Sequence, residues 1–571
     1  MKIDKLVGTR FKQKPSDCDI ESHAIMMRGG YMKNVSNGIF SFYTPLVRIV
    51  KNLEQIIRDE MDMLNGQEVL FPIVLPASFG EKLERYDGLG DKLISFTDHS
   101  KNPLVYGLAY EEAAVNLVRD YGNSYINYPF MIFQIQTKVS DEPRVKGGLI
   151  KSREFSTKDA YSFHVSRDDL SEFYEKIVQA YKRIFDKAGV SNVIPVLSSS
   201  GMFDDTISHE FVFMTSVGDD FIAICNECNY RSNLEAAECI VENNRDDFSD
   251  SLVLEHTPGV TTVDEVCEFL KRPKNKVCKA VVYQKNDGNY VIVFIRGDLD
   301  ISEFKLKNHI RCDIHPAILD DSSGLCAGYM GPYKLSINKG NTILFDKSLL
   351  GANNLLCGAN QTEYHFTGLD ISRDVGEIEY FDFAEIIDGG TCPICNKQSI
   401  SISRGIKVGS VIQTNTKYTK TLDMQYLDKN GQPNFPLMGI YKIEVDKLIA
   451  AICEANHDEY GPMWPPHLSP WQVHLCAVRS DDAEVKSVAD NLYSELIENG
   501  LSVIYDDRSV SAGVMFSDAD LLGAPLRVIV SPRNIKENCC EIVSRDKNIS
   551  CKQAVESSKE KIIELVKNMI L

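Results

Sequence analysis

The sharpest chemical signal in the sequence is a pair of C-x-x-C units, Cys225-Asn226-Glu227-Cys228 and Cys392-Pro393-Ile394-Cys395. Each can supply two thiolates to a tetrahedral zinc ion. The gap between them, about 160 residues, is far too long for a compact zinc ribbon. It suits an independent domain inserted between the two halves of one knuckle. Bare buried thiols are an equal reading, and a redox pair is the weakest. A second signal is the run from Met131 to Val165. Ile132, Gln134 and Gln136 alternate with Phe133, Ile135 and Thr137, and a loop broken by Pro143, Gly147 and Gly148 follows. Alternation then resumes with Glu154, Lys158, Ser162 and His164 on one face and Phe155, Asp159, Tyr161 and Phe163 on the other. The pattern predicts two long strands with a polar face, which either holds a small charged ligand or is simply solvated. The run from Lys271 to Lys276, with Lys279, is a local basic patch or a solvated helix end.

These groups need elements to position them. At 571 residues the chain is long enough for three or four domains, and 43% hydrophobic residues is ordinary for a globular protein. Leu46, Ile49, Val50, Leu53, Ile56, Ile57 and Met61 recur at helical spacing over about 44–64, ending at Asn65-Gly66. A strand over 68–71 and a helix over 110–120 follow. Ser166 caps a helix running through Leu170, Phe173, Ile177, Tyr181 and Phe185 to Gly189. Between the cysteine pairs, short strands (279–283, 290–295, 342–345) alternate with helical patches (263–270, 301–309), as in a self-contained α/β domain. Short strands at 400–402 and 411–413 precede a helix near 445–455. After Trp464-Pro465-Pro466, strands at 472–477, 502–505 and 527–530 alternate with helices, which predicts a doubly wound sheet.

The net charge of −19 argues against wholesale coating by nucleic acid but not against binding on local patches. The 16 cysteines fit a reducing compartment, several as small buried hydrophobes. With no apolar run of about 18 residues or more, the expectation is a cytoplasmic protein without membrane contact.

Six stretches taken together resemble one family. SREFSTKDAYSFH at 152–164, SHEF at 208–211, CNECNYRSNLEAA at 225–237, RGIKVG at 404–409, TKY at 416–418 and DDRSVSAGVMFSDADLLGAP at 506–525 are similar, in order, to bacterial-type prolyl-tRNA synthetase. This is a class II aminoacyl-tRNA synthetase. The resemblance covers the whole chain. It implies an α/β and α+β multidomain fold: a catalytic domain on an antiparallel sheet (1–234 and 389–466), an inserted α/β editing domain (235–388), and a C-terminal α/β anticodon-binding domain (467–571). The hairpin becomes motif 2, which in the family holds ATP, the amino acid and the tRNA acceptor end.

The sequence departs from the family where that chemistry needs charge. The motif 2 arginine is Ser140. Two motif 3 glycines are Lys442 and Glu444, and the motif 3 arginine is Lys447, a point charge instead of a fork. The family's threonine beside Glu111 is Ala109. Glu111, Arg144, Arg153, Glu154, Asp159 and His164 remain as a residual amino-acid and ATP site, or merely hold the fold. The resemblance implies an intact deacylase set in the insertion: Lys279, Asp346, His365 and the loop Gly328, Gly331, Pro332. In the last domain it implies that Asp507, Arg508 and Phe516 face the anticodon or cap local elements. The expectation is therefore a protein that binds tRNA(Pro) and hydrolyses alanyl-tRNA(Pro), with ATP-dependent proline activation lost or very weak. The alternatives are a competent proline–tRNA ligase and a non-catalytic tRNA-binding or amino-acid-sensing regulator. A homodimer and a proline or alanine ligand are expected. Structural zinc is one reading of the cysteines, and ATP and magnesium are needed only if ligase activity survives.

Overall fold

The computed structural model describes residues 1–81, 92–198, 207–243, 245–319 and 323–570. They fall into two compact units, one drawn from 1–195, 207–219 and 405–570, the other from 196–198 and 220–404.

The first unit is built on part of a larger sheet, in which Ser208–Met214 pairs with Ile400–Thr414 and the order continues Leu437–Glu444, Glu154–His164, Phe130–Val139, Gly66–Glu68. All neighbours are antiparallel except the last pair, where Gly66–Glu68 runs parallel to the start of the hairpin. The sheet exists because its strands carry apolar residues on the face that three helices cover. Thr44–Asp62, Arg167–Lys187 and Val445–Ala455 bring Leu46, Ile49, Leu53, Ile177, Tyr181, Leu448 and Ile449 into one core with Met131, Phe133, Val408 and Ile443. Ser166 caps Arg167–Lys187, its hydroxyl accepting from the Asp169 amide.

The strands predicted at 400–402 and 411–413 are one strand, Ile400–Thr414. Arg404 and Ser410 interrupt the apolar alternation of Ile400, Ile402, Ile406, Val408 and Ile412 on which sequence reading depends. The predicted polar face also differs. Lys158, Ser162 and His164 are buried, because the helix Arg167–Lys187 covers that side of the hairpin.

The last region has the strand order Val503–Asp506, Val473–Ala477, Leu526–Val530, Cys539–Ser544, Ser550–Ala554. The first three are parallel, and an antiparallel pair closes the edge. The chain's first residues pack here. Ile3 and Leu6 join Trp471, Ile504 and Leu522 in a small core.

The second unit contains both cysteine pairs and a mixed sheet with the order Ile314–Pro316, Cys278–Lys285, Tyr290–Arg296, Thr342–Asp346, Tyr380–Phe381. A three-stranded sheet, Val253–His256, Tyr364–Leu369, Leu355–Gly358, lies in the same unit. The helix Val263–Leu270 begins in a capping box, in which Thr262 accepts from the Glu265 amide and Glu265 from the Thr262 amide. Among the described residues no helix is long and apolar enough to cross a membrane.

Candidate functional site

The open face of the first unit's sheet carries the polar side chains that a small charged ligand would meet. Register places Gln134, Asp159, Lys442, Ser410 and Glu210 in one row across five strands. Four carboxylates in and around this row face lysines. Asp159 is fully buried and lies 2.8 Å from Lys138 Nζ, itself buried and set over the Tyr110 ring. Lys442 Nζ sits 3.0 Å from Glu111 Oε1, and Lys407 Nζ 2.6 Å from Glu210. Glu142 is held by Lys151 at 3.3 Å and Lys92 at 3.6 Å. Burial opposes ionisation of Glu142, but the Arg144 amide and Lys151 outweigh it and keep the carboxyl below its usual range. A triphosphate needs cations whose charge is not already spent. On this face the lysines are spent on the protein's own carboxylates.

The residual set does not form one pocket. Successive residues of a strand point to opposite faces, so Asp159 and His164 are on different sides of the sheet. His164 is wholly buried. Its Nδ1 is 2.6 Å from Asp169 Oδ2 and its Nε2 2.8 Å from Ser162 Oγ, which lies 2.8 Å from the Tyr441 hydroxyl. Burial holds its pKa down although Asp169 opposes this. Both ring nitrogens serve the fold. Glu154 shares His164's side and is exposed, as is Arg144. Arg153 is tied to the loop, donating to the Glu142 carbonyl at 3.2 Å and lying 3.8 Å from Asp141. Ser140 is buried, its hydroxyl 3.4 Å from the Lys92 carbonyl. Ala109 offers no polar atom. Lys447 and Glu444 are half-buried at the start of Val445–Ala455. Beside them Asp446 is buried, and desolvation pushes its carboxyl up to about 7, with Glu444, Glu54 and Glu154 adding to the rise.

The second unit holds an open cleft of about 250 Å³ lined by Thr261, Lys279, Gly328, Met330, Gly358 and His365 among others. Lys279 lies on Cys278–Lys285, its ammonium 3.1 Å from the well-exposed Asp300. The loop is shaped by close backbone approach. Gly328 has φ +80°, and a Cβ on Gly331 would lie 1.9 Å from the Gly358 carbonyl oxygen. Asn360 locks this turn. Its side-chain amide donates to the Gly331 and Tyr333 carbonyls, and its Oδ1 accepts from the Gly331 amide, all at 3.0 Å. Pro332 is buried beside it. His365 is buried with Nδ1 2.6 Å from Thr257 Oγ1. Burial lowers its pKa, which keeps the ring neutral near pH 7 although a bond to the Gly328 backbone opposes this.

Asp346 is placed differently from the expectation. It is buried outside the cleft lining, accepting from the amides of Ser348 at 2.8 Å, Phe383 at 2.7 Å and Ala384 at 3.0 Å. It ties the turn at 346–348 to the segment at 383–384. Asp507 and Arg508 are likewise occupied. Asp507 pairs with Lys2, and the Arg508 guanidinium bridges Asp506 at 2.7 Å and Asp518 at 2.8 Å. Phe516 instead borders an open groove of about 690 Å³ rimmed by Arg527, Arg533, Lys547 and Lys552. The Arg527 guanidinium lies 4.8 Å from the centre of its ring.

Sequence reading missed that rim, because its cations come from separate elements. It missed Lys138, Thr257 and Asn360 because each stands alone in an ordinary stretch. The four cysteine sulfurs converge to within 4.8 Å of one another.

Residues 257–370 match the aminoacyl-tRNA editing domain family, and residues 472–568 match the anticodon binding domain family. The chain is 36% identical to the proline–tRNA ligase of Syntrophus aciditrophicus (strain SB), over 97% of this chain and 96% of that one. It is 37% identical to that of Caldicellulosiruptor bescii, over 100% of this chain and 98% of that one. A prolyl-tRNA synthetase structure from Cryptosporidium parvum, complexed with halofuginone and AMPPNP, shares the fold at a TM-score of 0.58 and 13% identity, over 99% of this chain and 80% of that one. This chain belongs to the bacterial-type prolyl-tRNA synthetase family.

Proposed function

We propose that this family member binds tRNA(Pro) and hydrolyses alanyl-tRNA(Pro), and that its proline-activating site is closed. The observation that carries the second half is the Lys442–Glu111 ion pair, 3.0 Å across and nearly buried on the carboxylate side. Glu111 is the group the resemblance assigns to an incoming amino group. Here an ammonium of the chain already satisfies it, projecting from a position where the family has no side chain. Displacing it would leave Lys442 facing a ligand of the same charge. With Ser140 and Lys447 in place of two arginines, no forked donor remains at either family phosphate position.

The hydrolytic half rests on the cleft. Ester hydrolysis needs a held substrate end, a positioned water and donors for the developing oxyanion. Lys279 is the cation at the mouth, suited to the terminal ribose or phosphate. The backbone around Gly328 and Gly331 allows a close approach that side chains would block. Neutral His365, fixed through Thr257, holds the wall. A tRNA partner would use the basic groove beside Phe516. A homodimer would use the exposed edge Gly66–Glu68 with Met63, Leu70 and Ile73, which are exposed.

A second reading, a competent proline–tRNA ligase using ATP and magnesium, is favoured more directly by the two relatives above, both named for that activity and matched over nearly the whole chain. It requires Lys151, Arg144 and Lys447 to replace the family arginines. The deciding test of the hydrolytic reading is deacylation of alanyl-tRNA(Pro) by the purified chain. Measurable hydrolysis that falls sharply in Lys279→Ala supports it. Binding without hydrolysis turns the assignment to a non-catalytic regulator.

A further inference from the structure

The proposed function leaves the four cysteines unused. Their sulfurs come from the two segments that open and close the editing region, at 225–228 and 392–395. Cys225 Sγ lies 3.6 Å from Cys395 Sγ, and Cys228 Sγ lies 3.6 Å from Cys392 Sγ, so the close pairs are between segments. A zinc–thiolate bond of about 2.3 Å in a tetrahedron sets sulfurs about 3.8 Å apart. All four lie within 4.8 Å of one another, so one ion reaches every sulfur with small adjustments. The surrounding backbone is arranged for thiolates. The amide of Glu227 donates to Cys225, that of Tyr230 to Cys228 and that of Ile394 to Cys392, each at 3.4 Å. Donors of this kind stabilise the charge of metal-bound sulfur and orient it.

The knuckle has little else to hold it. Its core is small: Ala223, Tyr230, Ala237, Ile386 and Ile400 besides Cys225 and Cys392. The segments are otherwise joined by backbone bonds such as Asn226 amide to Ser399 carbonyl at 3.0 Å and Ile240 amide to Thr391 carbonyl at 2.8 Å. A cluster of this size usually needs a cross-link or a metal.

We propose that Cys225, Cys228, Cys392 and Cys395 bind one zinc ion as a tetrathiolate, and that this ion clasps the two ends of the editing region together. The ion has no catalytic task. It sits in the segments leading to the cleft and is absent from the cleft lining, so its role is to hold the ends of the cleft's scaffold in register. The statement about the cleft rests on the hydrolytic reading above. The metal assignment does not.

The test is metal analysis of the full-length protein purified without added metal, joined to cobalt substitution. One zinc per chain is expected, falling to near zero in Cys392→Ser. Cobalt-loaded wild-type protein should show the intense visible bands of a tetrahedral thiolate site, which covers the case of a variant that fails to fold. Hydrogen exchange across 220–240 and 386–402 should accelerate after chelation. Metal-free protein with four freely reacting thiols and no cobalt bands, or with disulfides between the pairs, would overturn the assignment. If zinc is found but neither zinc-loaded nor chelated protein hydrolyses alanyl-tRNA(Pro), the metal assignment stands and the hydrolytic reading fails.

Discussion

The two candidate sites of this molecule differ in how their charges are spent. On the sheet of the first unit, Asp159, Glu111, Glu210 and Glu142 each face a lysine of the chain. In the second unit, Lys279 stands at the mouth of an open cleft, with an exposed aspartate as its partner. A surface ion pair of that kind is worth little and is readily exchanged for a ligand. A buried pair such as Lys138–Asp159 is not, since breaking it strands a charge in a medium that cannot solvate it. On the proposed reading, the same pairing of lysine with carboxylate closes one site and leaves the other available.

The comparison can be broken most forcefully in the cleft. Lys279→Ala should lower alanyl-tRNA(Pro) hydrolysis by about 100-fold, the usual scale for removing one charge-stabilising group. Gly331→Ala should do at least as much, because its methyl group would collide with the Gly358 carbonyl. Retention of full hydrolysis in both would remove the cleft from the account. In the closed site the effect is on stability. Lys442→Met leaves Glu111 buried without its ammonium and should cost about 3 kcal/mol in chemical denaturation, with much of this recovered in the double variant with Glu111→Gln. If Lys442→Met costs nothing, the pair is not what fills the site.

A subtler effect is in pH. Asp446 has its carboxyl pushed up to about 7 by burial. The folded state therefore prefers it protonated relative to the unfolded chain. Its contribution is fully present below the ordinary carboxylate range and lost as pH rises through about 7. Asp446→Asn should raise the melting temperature most at pH 8.5, with the gain shrinking steadily as pH falls through about 7 toward the ordinary carboxylate range. The smallest effects are expected at the groove beside Phe516. Arg533→Glu and Lys547→Glu should each weaken tRNA(Pro) binding and reduce its salt dependence by about one phosphate contact, with no change in metal content.

Much of the architecture was legible because it is written in local patterns. The period of 3.6 in Thr44–Asp62, the alternation of the hairpin and the Ser166 cap each depend on neighbours in sequence. Side-chain environment was less legible. Nothing near His164 in sequence reveals that the helix Arg167–Lys187 covers its side of the sheet, or that Asp346 lies where the distant segment 383–384 offers it two amides. Parity along the strand did separate Asp159 from His164 in advance, and only the family pattern had grouped them. The substitutions at 140, 442 and 447 were visible in the sequence. That Lys442 reaches Glu111 was not, because the contact spans more than three hundred positions. The cysteine pairs were read correctly as able to converge, since spacing within each pair is local, whereas the convergence itself belongs to the fold.

The central claim, that one site is closed while the other is open, is tested most directly by proline-dependent exchange of pyrophosphate into ATP with the full-length protein. The account predicts exchange at background, in the same preparation that hydrolyses alanyl-tRNA(Pro). Exchange at rates typical of a working synthetase would contradict it and establish the chain as a proline–tRNA ligase.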